Sequence, residues 1–143
     1  MNTEVLAEKI KSVLPKRETA LASLSAKPIT PYRHALVDLF NVAVLAAAPT
    51  AFKLSGTTSQ LVRVFGATEA AVNWVSDTPL AVKRALPFRM HRAIDKWSGL
   101  GFLAAALATD GLRSRRNLQF VIAQALLGFA VYNLTDWDAD TDS

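Results

Sequence analysis

The sequence contains no cysteine, which excludes a disulfide scaffold, a thiolate metal site and a cysteine nucleophile. It contains only two histidines, too few for a multi-histidine metal site, and no metal is expected. Glycine and proline each occur six times in 143 residues, which excludes collagen-like and low-complexity chains. No run alternates apolar and polar residues between hairpin turns, so no strands are expected. No serine stands beside a histidine with an orienting acid, and no phosphate loop or cofactor fingerprint is found. The chain therefore reads as non-enzymatic, with no catalytic residue and no cofactor.

What is present is apolar: 51% of the residues are hydrophobic, 20% are charged, and the mean hydropathy is +0.22. Such a chain is not disordered, and its length suits one domain. The net charge is +4, but four of the twelve acids fall in the last eight residues, leaving a strongly basic body. A basic body suits nucleic acid or an anionic membrane surface. Nucleic-acid binding calls for a basic stripe interleaved with stacking aromatics. Here the bases punctuate apolar runs, so nucleic acid is set aside as a partner and the lipid bilayer is favoured.

Residues 1–29 form a polar arm. Val5, Leu6, Ile10, Val13 and Leu14 share one helix face, predicting an amphipathic N-terminal helix that ends at Pro15. Thr30-Pro31 is a helix start, and Pro49 should kink or end that helix. Further helices are expected from about Ser59 to Ser76, Phe88 to Thr109 and Ser114 to Thr135. The expected fold is all-α. It is a four-helix transmembrane bundle over 30–136, made of two tandem hairpins (30–78 and 88–136), with the arm before it and an acidic tail, 137–143, after it.

A membrane span needs about 20 largely apolar residues. Residues 117–135 have no charge, 36–52 and 97–109 qualify with charges near their edges, and the second helix is weakest because Glu69 sits within it. Four spans would place both termini and the 77–91 connection on the side richer in Lys and Arg, which predicts an inner-membrane protein with cytoplasmic termini. All the tryptophans and tyrosines (Tyr32, Trp74, Trp97, Tyr132 and Trp137) fall at that same end, as an interfacial belt would.

The two histidines mark a duplication. His34-x-x-x-Asp38 matches His91-x-x-x-Asp95 at an offset of 57, and Val72-Asn-Trp-Val-Ser-Asp77 matches Val131-Tyr-Asn-Leu-Thr-Asp136 at an offset of 59. Each His-Asp pair shares a helix face. Two readings follow. In one, His34 pairs with Asp77 and His91 with Asp136, latching each hairpin at its rim and relieving unfavourable helix-dipole placements. In the other, the histidines, the four aspartates and Glu69 form a proton or cation site. The tail Asp136-Trp-Asp138-Ala-Asp140-Thr-Asp142 lacks the glycine and closing glutamate of a calcium loop and reads as solvated. Gly99, Gly101, Ala104 and Ala105 form a small-residue face suited to close helix contact. The function expected from these features is an accessory or scaffold subunit of a larger membrane assembly, with other membrane subunits or further copies of itself as partners. A small transporter or proton relay and a soluble helical bundle are the alternatives.

Over about residues 33–136 the sequence resembles small bacterial four-helix membrane proteins of the SPW-repeat type. The likeness rests on the two His-x-x-x-Asp openings and on Ala48-Pro49-Thr-Ala-Phe52-Lys-Leu-Ser-Gly56. It also rests on Ser76-Asp77, Thr135-Asp136 and Leu86-Pro87-Phe-Arg-Met-His91. Thr50 stands where that family has Trp after Pro, and Ala106 where the second repeat would have the Pro. The resemblance implies two tandem helical hairpins in a membrane and no particular activity.

Overall fold

The computed structural model describes residues 27–54, 56–109 and 113–142. The amphipathic helix expected over 5–14 lies outside the described residues. Four helices follow one another: α1 (Pro31–Ala51), α2 (Gly56–Val75), α3 (Phe88–Leu107) and α4 (Arg115–Leu134). No strand is present among the described residues, and the molecule is an all-α four-helix bundle.

The helix ends follow the local chemistry. The Thr30 hydroxyl caps α1 by accepting from the Arg33 amide at 3.4 Å, and Pro31, which has no amide to satisfy, takes the first helical position. Pro49 does not end α1. The helix runs two residues further and closes where Lys53 enters the left-handed region (φ 52°) and the Leu54 amide bonds the Pro49 carbonyl at 3.0 Å. Gly56, at φ 58°, then opens α2. The segment Leu80–Leu86 forms no helix and runs as an irregular connection, its Ala85 and Leu86 amides bonded to the Val75 carbonyl.

Residues related by the offsets of 57 and 59 make matching backbone contacts. Just before α1, Ile29 forms a parallel bridge with Thr135 at the end of α4. Just before α3, Leu86 forms the same bridge with Ser76 at the end of α2. Ile29 and Leu86 are related by the offset of 57, and Ser76 and Thr135 by that of 59. The bonds correspond one to one. The Ile29 amide reaches the Leu134 carbonyl and the Leu86 amide the Val75 carbonyl; the Asp136 amide reaches the Ile29 carbonyl and the Asp77 amide the Leu86 carbonyl.

These bridges gather the starts of α1 and α3 and the ends of α2 and α4 at one end of the bundle. The apolar core lies toward the other end, around Leu45, Ala48, Leu54, Val62, Phe102, Ala106, Phe120 and Val121. The first hairpin packs most closely: a Cβ on Gly66 would stand 2.9 Å from the Leu45 Cβ, so only glycine admits this approach. By length and composition, α1 and α4 are apolar enough to cross a membrane.

Candidate functional site

His34 and Asp38 lie one turn apart on α1, and His91 and Asp95 occupy the same positions on α3. The paired bridges bring these helix starts together, so the four side chains converge between the helices. Both histidines are fully buried, and Asp38 is 9% exposed. The two Nε2 atoms are 3.2 Å apart. His34 Nε2 lies 3.2 Å from Asp38 Oδ2 and 3.1 Å from Asp95 Oδ2. His91 Nε2 lies 3.2 Å from Asp38 Oδ2 and 3.1 Å from Asp95 Oδ1. One ligand-capable atom from each residue falls within 4.8 Å of all the others.

The far side of each ring is held by a hydroxyl. His34 Nδ1 lies 2.9 Å from Thr135 Oγ1, and His91 Nδ1 lies 2.6 Å from Ser76 Oγ. Each hydroxyl donates its own proton to the backbone carbonyl four residues earlier, Thr135 to Val131 and Ser76 to Val72, both at 2.7 Å. A hydroxyl has one proton, so each must accept from the imidazole, and both Nδ1 atoms carry hydrogen. In the neutral rings the Nε2 lone pairs are then free and face the centre.

Aromatic side chains seal the site from one side. Trp137 is 4% exposed and packs edge-on to His34 with centroids 4.7 Å apart; Phe88 lies against both histidines and Trp137. The indole N–H of Trp137 donates to the Tyr132 carbonyl at 2.9 Å, fixing the tail over the rings. On the other side Asp38 and Asp95 border a cavity of about 340 Å³. Glu69 also lines it, 8% exposed, and accepts from Ser98 Oγ at 3.2 Å. Asn41 and Gln124 line it too, with Gln124 Nε2 donating to Asn41 Oδ1 at 3.0 Å. Ser98 and Asn41 are related by the offset of 57, so α2 and α4 bond matching positions on α3 and α1, although from positions, Glu69 and Gln124, that do not match each other.

The structure thus brings together His34, Asp38, His91 and Asp95, with Glu69 on the adjoining cavity. It does not bring Asp77 or Asp136 into the cluster, and the expected pairs His34–Asp77 and His91–Asp136 are replaced. His34 meets Thr135 and His91 meets Ser76, each the residue before the aspartate expected for the other histidine. The bridges are the reason: they set α1 beside the end of α4, and α3 beside the end of α2. Asp77 instead lies 3.8 Å from Arg84. Arg84 also bonds Asp142, and that bond pushes its guanidinium pKa up from the ordinary value. The Asp136 carboxylate accepts from the Asp138 amide at 3.3 Å. Tyr32, Trp74 and Trp97 are exposed and Tyr132 is half-buried, whereas Trp137 is turned inward as the cover of the site.

Ser76 and Thr135 were legible only as parts of a repeated hairpin end, and their role needed the bridge register. Comparison with known proteins gives no match: no family model, no curated protein and no solved structure matches the chain.

Proposed function

We propose that the chain is a small multi-pass membrane protein that binds a cation at the His34–Asp38–His91–Asp95 site and exchanges it through the cavity that carries Glu69. The observation that carries this reading is an inverted polarity. The buried set includes His34, Asp38, Thr58, Glu69, His91, Asn117 and Gln124. Leu36, Leu39, Phe40, Val64, Leu100, Leu107, Leu126 and Phe129 are exposed, on all four helices. In water this arrangement would expose apolar surface and desolvate charge. In a bilayer the outward face meets lipid, and ionisable groups turned into the bundle mark an ion or proton site. All four helices are 20 or 21 residues long, about the length that spans the hydrocarbon core. On this reading both termini face the cytoplasm of an inner-membrane protein, following the excess of Lys and Arg at that end.

Chemically, two carboxylates in one buried site must be balanced by two positive charges. Protons or one metal ion can supply them. Glu69 offers the next carboxylate along the cavity, a place for the cation to stop on its way in or out. The test is reconstitution of the full chain into liposomes holding a pH-sensitive or metal-sensitive dye. Flux above that of empty liposomes, lost in Glu69→Gln and Asp95→Asn, is expected. Flux no greater than that of empty liposomes would sink the reading.

A second reading, an accessory subunit of a larger assembly, is favoured by one feature. Gly101 is exposed, does not line the cavity, and an added Cβ there would touch nothing, so the outer surface of α3 leaves a small-residue position open to another helix. Purification from native membranes tests it: a partner should travel with the wild type and be lost when Gly101 is replaced by Leu.

A further inference from the structure

We propose that the His34–Asp38–His91–Asp95 site is a four-coordinate centre for a divalent first-row transition metal of the zinc class. The inference rests on the preceding reading only in using the same residues, and concerns what occupies them.

The first argument is metric. Four ligands at about 2.0 Å from a tetrahedral ion stand about 3.3 Å from one another. With either Asp95 oxygen as the ligand, four of the six separations are 3.1–3.2 Å: Nε2 to Nε2, both Nε2 atoms to Asp38 Oδ2, and one Nε2 to the chosen Asp95 oxygen. One such set of four ligand atoms lies wholly within 4.8 Å.

The second argument is the unsatisfied oxygen. Asp38 Oδ2 is buried, and its residue is nine-tenths buried, yet no hydrogen bond reaches it; the same holds for Asp95 Oδ1 at the atom level. Both stand 3.1–3.2 Å from Nε2 atoms, which have no hydrogen to give when the rings are neutral and carry it on Nδ1. A carboxylate oxygen buried without a donor is unfavourable, and a cation at the centre satisfies both at once.

The third argument is the state of the rings. With both Nδ1 atoms donating to Thr135 and Ser76, each Nε2 presents a lone pair to the centre. A ligating histidine whose other nitrogen donates to a fixed acceptor is the usual outer-shell arrangement of metal sites. The all-proton alternatives fit less well. Protons on both Nε2 atoms would set two N–H groups head to head across 3.2 Å. A single shared proton would leave the buried site with a net negative charge. A divalent ion with two neutral imidazoles and two carboxylates leaves it neutral. Two imidazoles with two carboxylates select a borderline ion such as Zn²⁺, Fe²⁺ or Co²⁺ over the harder Mn²⁺, Mg²⁺ or Ca²⁺.

The test uses the full-length protein purified in mild detergent. Elemental analysis of the isolated protein, and titration of the chelator-stripped protein with Zn²⁺ and with Co²⁺ as a spectroscopic probe, read out occupancy and geometry. Expected are one ion per chain, an intense tetrahedral Co²⁺ spectrum, and X-ray absorption showing a mixed nitrogen and oxygen shell at about 2.0 Å. Ser76→Ala and Thr135→Ala keep all four ligands and should weaken binding about 10–100-fold. Asp77→Asn and Asp136→Asn should bind as the wild type does. His91→Ala should abolish binding; because it also empties a buried ring position and so endangers the fold, the hydroxyl variants, checked by circular dichroism, keep the test decisive. Overturning results are substoichiometric metal in the wild type after Zn²⁺ titration, an octahedral Co²⁺ spectrum, or equal affinity in the hydroxyl and aspartate variants. The two proposals fail separately. Proton flux without bound metal sinks only the metal centre. Tight metal without flux sinks only the exchange of a cation through the cavity.

Discussion

In the first hairpin Gly66 lets α2 approach α1 so closely that an added Cβ would stand 2.9 Å from Leu45 Cβ, and the interface closes. In the second hairpin the counterpart of Gly66 is Ala125, which lines the cavity, and the counterpart of Glu69 is Gly128, where an added Cβ would touch nothing. Positions related by the offset of 59 thus differ, between a tightly packed half that contributes the extra carboxylate and an open half that contributes the space. The rim positions do not differ in this way. His34 and His91, Asp38 and Asp95, Thr135 and Ser76 still occupy equivalent places. Symmetry has been kept where both halves must meet one centre and lost where the cavity requires the halves to differ.

The comparison can be broken most forcefully at the rim. Without metal, removing either carboxylate from the buried cluster should destabilise the bundle by about 3–5 kcal/mol, and Asp38→Ala and Asp95→Ala should do so equally. The double variant should lose less than the sum, because the two residues share their partners. Thermal unfolding in detergent measures all three, and clearly unequal single losses would show that the two-fold relation is one of shape alone. The next largest contrast is between glycines. Gly66→Ala should cost about 1–3 kcal/mol by overpacking against Leu45. Gly128→Ala should be neutral or stabilise by up to about 1 kcal/mol through helix propensity. Equal effects would mean that the first hairpin can relax outward.

A smaller loss, about 1 kcal/mol, is expected for Trp137→Phe, which keeps the ring over His34 but removes the bond to the Tyr132 carbonyl. Tryptophan fluorescence shows the consequence for placement: quenching by lipid-borne or aqueous quenchers should reach Trp97 (67% exposed) before Trp137. The smallest effect on stability belongs to Glu69→Gln, which still accepts from Ser98 and should change unfolding by less than about 1 kcal/mol. It should nevertheless abolish cation flux. Metal occupancy sharpens the same contrast through pH. Binding requires ionised carboxylates and unprotonated Nε2, so acidification must release the ion and alkalinisation must retain it. Glu69→Gln should leave that release curve in place, whereas Ser76→Ala should shift it to higher pH.

Much of the fold was legible in the residue pattern. Thr30-Pro31 marked the start of α1, the four apolar segments marked the helices to within a few residues, and the offsets of 57 and 59 marked residues that take matching places. Pro49 was expected to kink or end α1; it forgoes an amide bond to the Leu45 carbonyl, yet the helix runs on to Ala51. The site was legible as a set and not as a pairing. A four-residue spacing puts each histidine on the face of its aspartate, but which helix end lies opposite depends on how the connections run. The bridges at Ile29 and Leu86 have no sequence signature, so aspartates that looked like partners stand outside the cluster and Ser76 and Thr135 stand inside it. Trp137 looked like a belt residue because tryptophans favour interfaces; the chain after α4 folds back and turns it inward.

The sequence by itself determined the helices, the duplication and the residue types at the rim, because these depend on spacing along one chain. Only the tertiary structure decided that the two histidines face each other across 3.2 Å and that both carboxylates meet them there. It also decided that the two halves open unequally around Glu69. Those outcomes depend on the register between segments far apart in the chain. Backbone bonds and one close glycine contact fix that register, and no local pattern records it.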